Sequence, residues 1–173
     1  MQNRAIILLG LLMSQSQHGY LINEFIEENL SFVTNMKKPT AYATLDRLHK
    51  QGYIEVTTEQ EGNRPPCKVY SINDKGRQYF FKLLLENLST AEQADYKGDI
   101  GIMFIDHLQP REAVIALKKR LSETEKLLEY IKQTPDHQEI GVSLVVEHKL
   151  IMLHAEKSFL EQTIEKLEKR LDN

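Results

Sequence analysis

Between residues 38 and 50 the chain gathers side chains suited to phosphate chemistry: Lys38, Thr40, Tyr42, Arg47 and Lys50. The hydroxyls of Thr40 and Tyr42 can donate to phosphate oxygens, and the lysines add positive charge. Arg47 can meet either a base or the backbone. Arg64 and Lys68 flank a turn further on and are placed to reach a second stretch of phosphate or a minor groove. Asp46 stands among these cations and repels phosphate unless it is neutralised. Lys50, four residues on, has the favourable orientation for an intrahelical pair, and a cytosine amino group is the other partner open to the carboxylate.

Other candidates for chemistry are weaker. His148 and His154 are six residues apart and fall on different helix faces, while His107 and His137 have no matching ligand spacing, so no metal site is expected. Cys67 is the single cysteine, which excludes a disulfide framework and fits a reduced, cytoplasmic protein. No nucleophile elbow, phosphate loop or dinucleotide glycine pattern is present. With no activated nucleophile or acid–base pair to name, neither an enzyme nor a cofactor is expected. Tyr20 is open to two roles, core anchor or phosphate donor. His18 reads as a capping or turn residue, with a ligand contact as the alternative, and Tyr70 reads as core.

The elements that would position these groups follow from periodicity. Asn3 to Ser14 forms a short helix apolar almost all round, which must be covered on two sides. Gln17-His18-Gly19 breaks it, and a second helix runs from about Tyr20 to Leu30 with Ile22, Phe25 and Ile26 on one face. Pro39 opens a third helix that ends near Gln51-Gly52, with Ala41, Leu45 and Leu48 as its inner stripe. Residues 53–58 and 68–72 alternate as strands around the loop 61–66, and Asn73 caps a fourth helix from Asp74 to about Leu88. Helix, helix, helix, hairpin, helix is the order of a winged helix-turn-helix, in which the N-terminal part of the third helix enters the major groove.

The remaining half is helical. Gln109-Pro110 starts a helix with Val114, Leu117, Leu121, Leu128 and Ile131 in a three-four pattern, broken at Thr134-Pro135-Asp136. Val146, Leu150, Leu153, Leu160, Ile164, Leu167 and Leu171 then continue a coiled-coil seam interrupted only by Lys157. So narrow a stripe needs another helix, and a second copy of the chain is the economical partner. Fold class is therefore mainly α with a small β-wing: a winged helix-turn-helix over residues 1–90 and a helical dimerisation domain over 91–173. Net charge is −3 overall, +1 over residues 1–90 and −4 over 91–173, so only the first half could favour nucleic acid. The apolar run Ala5 to Met13 is too short to cross a bilayer and lacks a cleavage site, so neither membrane anchor nor signal peptide is expected.

Five segments in order carry a resemblance. Leu8-Leu9-Gly10-Leu11-Leu12, His18-Gly19-Tyr20, Thr40 to Leu48, Gln51-Gly52-Tyr53-Ile54 and Val69 to Arg77, followed by two long helices, resemble the PadR-like transcriptional regulators over nearly the whole chain. Asn73 departs from the family's usual Thr without harm to capping. The long C-terminal half is similar to the subfamily that represses phenolic-acid detoxification genes. This resemblance implies a homodimer, an inverted-repeat operator in double-stranded DNA, and release by a small effector such as a phenolic acid. Tyr96, Phe104, His107, His148 and His154, together with His18, are candidates to line an effector pocket, with ordinary core filling as the alternative. A rival function of another class also fits the nearly balanced charge: a winged-helix protein–protein adaptor that does not touch DNA.

Overall fold

A computed structural model describes residues 2–14, 16–29, 34–60, 66–91, 96–133 and 140–171. Arg64, the loop tip around it and the 134–136 break lie outside the described residues. The chain divides into two compact units, Met1–Gln93 and Ala94–Asn173.

In the first unit α1 (Gln2–Ser14) is followed by β1 (Gln17–His18), α2 (Gly19–Asn29), α3 (Lys38–Lys50), β2 (Ile54–Glu59), β3 (Cys67–Ile72) and α4 (Asp74–Ser89). Three antiparallel strands lie in the order β1-β3-β2. Val56 faces Tyr70 across the hairpin, and Gln17 faces Tyr70 from the other side. The two-residue strand at Gln17–His18 corrects the expectation of a turn there. No local alternation marks it, because it is held only by pairing with a partner more than fifty residues away.

The core joins Leu8, Leu9 and Leu12 of α1 to Ile22 and Ile26 of α2 and to Leu45 and Leu48 of α3, with Ile54, Tyr70 and Leu83 closing it. Each fully buried leucine contributes roughly 2 kcal/mol of apolar transfer free energy. Ile6, Ile7 and Leu11 are packed against this core while only partly buried, so α1 is covered on more than one side. The turn after α3 is fixed by backbone chemistry. Gly52 adopts φ 74°, in the left-handed region, and ends the helix. Asn73 accepts a hydrogen bond from the Gly76 N–H at 2.9 Å and donates to the Gly52 carbonyl at 3.1 Å, tying the start of α4 to the end of α3. Gly76 itself lies so close to the Tyr53 carbonyl that a Cβ there would collide with backbone.

The second unit contains α5 (Gly98–Met103), a single 3-10 turn at Ile105–His107, α6 (Pro110–Lys132) and α7 (Ile140–Leu171). Pro110 occupies the first turn of α6, and Gln109 and Glu112 form a reciprocal capping box. Helices α6 and α7 run antiparallel, as the ion pairs Lys118–Glu168 at 2.7 Å and Glu125–Lys157 at 2.8 Å record. Val114 and Leu117 pack with Leu160 and Ile164, and Leu121 and Leu167 close the cluster. This corrects the expectation for the seam: over Leu160, Ile164 and Leu167 its partner is the chain's own α6. Leu150 and Leu153 are half-buried, and Leu171 is exposed. Lys157, the polar step in the seam, donates to Glu125 of α6 and lies 3.7 Å from Glu161, one turn on. The Glu125 hydrogen bond holds its ammonium above the ordinary lysine pKa.

A second apolar stripe on α7 is exposed: Ile140 (77%), Leu144 (57%), Ile151 (58%) and Phe159 (44%). At about 100° per residue it falls on the side opposite Leu153, Leu160 and Ile164. Among the described residues no helix is long and apolar enough to cross a membrane, and no group of His, Cys, Asp and Glu could hold a metal ion.

Candidate nucleic-acid interface

Helix α3 divides cleanly into an inner and an outer face. Ala41, Thr44, Leu45 and Leu48 are buried, and Thr44 returns its hydroxyl to the Thr40 carbonyl at 2.8 Å. That internal bond satisfies the one polar side chain on the inner face. Lys38, Ala43, Asp46 and Lys50 are exposed on the other side, with Thr40, Tyr42 and Arg47 half-buried at its margins. Lys37, exposed at the N-cap with an extended backbone, adds a cation beside Lys38 that the sequence reading did not single out.

Tyr42 is positioned by α2. A Cβ at Gly19 would stand 2.8 Å from the Tyr42 ring and 2.9 Å from the Tyr70 ring, so only glycine lets both aromatics close against the start of α2. The Asn23 side chain, buried one turn later, donates to the Gly19 carbonyl at 2.8 Å and holds that end in place. The Gly19 position thus couples α2, the exposed side of α3 and the wing.

Asp46 does not take the expected intrahelical partner. Its Oδ1 lies 4.0 Å from Nζ of Lys68, on β3. An exposed i,i+4 pair is worth only about 0.3–0.5 kcal/mol, so a cation delivered by the tertiary fold competes readily. Lys68 therefore bridges strand β3 and helix α3. Tyr20 is exposed, which removes the core-anchor reading, and its ring stacks on His18 with centroids 5.5 Å apart. His18 Nε2 in turn lies 4.0 Å from Glu59 of β2. Tyr70 is fully buried, and its hydroxyl has no hydrogen-bond partner among the described residues. Burial first, then Asp46 and Tyr42, push its pKa above the ordinary 10.0.

The effector candidates are distributed differently. In the second unit the Tyr96 hydroxyl meets the Met152 sulfur at 3.8 Å, and Phe104 lies against His107 with centroids 6.2 Å apart. His148 and His154 are exposed on α7, and His18 belongs to the first unit.

Residues 8–82 match the profile described as "Transcriptional regulator PadR-like family". A curated relative, the negative transcriptional regulator PadR of Bacillus subtilis, is 26% identical over 121 residues, which span 70% of this chain and 66% of that protein. The fold is shared with the crystal structure of Bacillus subtilis PadR in complex with operator DNA, with a TM-score of 0.82 and 22% identity over 94% of this chain and 98% of the other. The same protein in complex with p-coumaric acid gives a TM-score of 0.79 at 22% identity, covering 94% and 97% of the two chains.

Proposed function

We propose that the chain, whose residues 8–82 match the transcriptional regulator PadR-like profile, is a member of that family and acts as a homodimeric repressor that binds an inverted-repeat operator. The observation that carries this reading is the outer face of α3, where Lys38, Thr40 and Tyr42 stand away from the buried stripe at the N-terminal end of the helix. Helix-turn-helix proteins insert this end into the major groove, and a dimer sets two such helices about one helical turn apart, roughly 34 Å. Thr40 and Tyr42 donate to phosphate, Lys38 and Lys50 supply charge, and Arg47 reaches a base edge or the backbone. Arg64 and Tyr20 extend the contact, and Lys68 is available to it only in part, because Asp46 competes for its ammonium.

The exposed stripe of α7 supports dimerisation. Ile140, Leu144, Ile151 and Phe159 make an apolar face long enough for a second copy, whereas Leu160, Ile164 and Leu167 are already packed by α6. The curated relative's description as a negative regulator supports repression, and its complex with p-coumaric acid supports a small aromatic effector such as a phenolic acid.

Fluorescence anisotropy with the DNA upstream of the chain's own gene tests the reading. Affinity should fall steeply with salt, because lysine and arginine contacts release counterions. It should also fall on addition of p-coumaric acid. An intact dimer that binds no DNA would overturn the proposal in favour of a protein–protein adaptor.

A further inference from the structure

Helix α3 carries its polar and apolar side chains in different places on its outer side. Ala41, Thr44, Leu45 and Leu48 are buried. At about 100° per residue, the direction opposite their mean passes within about 30° of Pro39, Ala43, Asp46 and Lys50. All four are exposed. Thr40 and Arg47 fall on one flank of this crest and Tyr42 on the other, each about 70–90° from it. The N-terminal turns are the part of such a helix that enters a major groove. There the crest is Pro39 and Ala43, and the hydroxyls and charges stand to either side.

Neighbouring elements reinforce the division. The Tyr42 ring closes against Gly19 of α2, where a Cβ would stand 2.8 Å from it. Asp46, next along the crest, is engaged by Lys68 of β3 at 4.0 Å. Pro39 and Ala43 have no donor or acceptor in their side chains, and their shortness lets the backbone of α3 approach a groove floor closely. Among the groups on that floor, the 5-methyl of thymine is the apolar one. Carbon packed on a donor or acceptor strips its water and returns nothing, whereas carbon packed on a methyl group removes apolar surface from water. We infer that Pro39 and Ala43 read thymine methyl groups, while Lys38, Thr40 and Tyr42 hold the phosphates of the groove walls. This inference rests on the DNA-binding reading and names what the helix recognises.

Footprinting the full-length protein on the DNA upstream of its gene defines a protected segment. That segment is synthesised twice, with thymidine and with deoxyuridine, which lacks only the 5-methyl group. In anisotropy titrations, binding should weaken about fourfold for each methyl lost from contact, as for one buried methylene. Ala43→Ser, an exposed change that leaves the buried stripe intact, should weaken binding of the thymidine duplex more than of the deoxyuridine duplex, so that the penalty for uracil shrinks. Lys38→Ala should weaken both duplexes alike, as expected of a phosphate contact. Equal affinity of the parent chain for the two duplexes would overturn the inference while leaving DNA binding in place. So would a uracil penalty that Ala43→Ser leaves unchanged, which would assign it to duplex shape. Absence of binding to either duplex would overturn the DNA-binding reading itself, and this inference with it.

Discussion

Lys68 Nζ stands 4.0 Å from Asp46 Oδ1, so the wing strand and the recognition helix are joined by opposite charges on the face proposed to meet DNA. A lysine held by a carboxylate is unavailable to phosphate. Replacing Asp46 with Asn should therefore tighten operator binding, by roughly two- to fivefold. It should also steepen the salt dependence by about one unit of log–log slope as Lys68 gains a phosphate. Anisotropy titrations across a salt series measure both. An unchanged slope would mean that Lys68 stays clear of DNA.

Tyr42 offers a narrower test of the same face. Tyr42→Phe keeps the ring that closes against Gly19 and removes only the hydroxyl, which lies beside the same glycine. Operator affinity should drop by about 1 kcal/mol, or roughly fivefold, equally for operator and unrelated DNA, as expected of a phosphate contact. A loss confined to the operator would reassign Tyr42 to base readout.

Two glycines should respond oppositely to alanine. At Gly76 a Cβ would collide with the Tyr53 carbonyl, and backbone cannot move aside cheaply, so Gly76→Ala should cost the first unit roughly 3 kcal/mol or more. At Gly101, in α5, nothing lies within 4 Å of the added atom, and helix propensity alone gives a gain of about 0.5–1 kcal/mol. Urea denaturation of the two variants reads the difference.

On α7, opposite faces should fail differently. Leu160→Ala removes a fully buried side chain from the α6–α7 cluster and should destabilise the hairpin by roughly 3 kcal/mol. Ile151→Glu puts a charge on the exposed stripe and should leave the monomer folded while abolishing the dimer. Light scattering and circular dichroism on both variants separate assembly from folding. A dimer that survives Ile151→Glu would move its interface elsewhere.

Tyr70 predicts an alkaline weakness. Burial, Asp46 and Tyr42 raise its pKa above 10.0, so the unfolded chain ionises this hydroxyl first. Its contribution is fully present below pH 10.0 and is lost as pH rises through the higher folded value. Denaturant midpoints should fall less steeply across this range in Tyr70→Phe than in the parent chain.

Much of this was legible in the residues themselves. Pro39, Gly52 and Asn73 mark element ends because each acts on backbone close by in the sequence, Asn73 through its side chain at the start of α4, and the Ala41–Leu45–Leu48 stripe needs only helical geometry. The relations that escaped are those made by distant segments. Strand β1 exists only through Tyr70 and Val69, and Asp46 finds Lys68 only after the hairpin has folded beside α3. Periodicity likewise revealed that α7 carries a seam, but a seam does not say whether its partner lies in the same chain. The opposite stripe at Ile140, Leu144 and Ile151 was hidden by that first pattern.

Lys157 gives the α6–α7 hairpin a vernier mark. An all-leucine stripe would pack acceptably if one helix slid a turn, about 5.4 Å, past the other. Such a slide would break the Lys157 bond to Glu125 together with the Lys118–Glu168 and Arg120–Glu156 pairs. Leucines make the two helices adhere, and this set of cross-helix ion pairs favours one alignment. The alignment of α6 and α7 is thereby set to within a turn, so the exposed stripe of α7 stands in one place for the second copy proposed to pack on it.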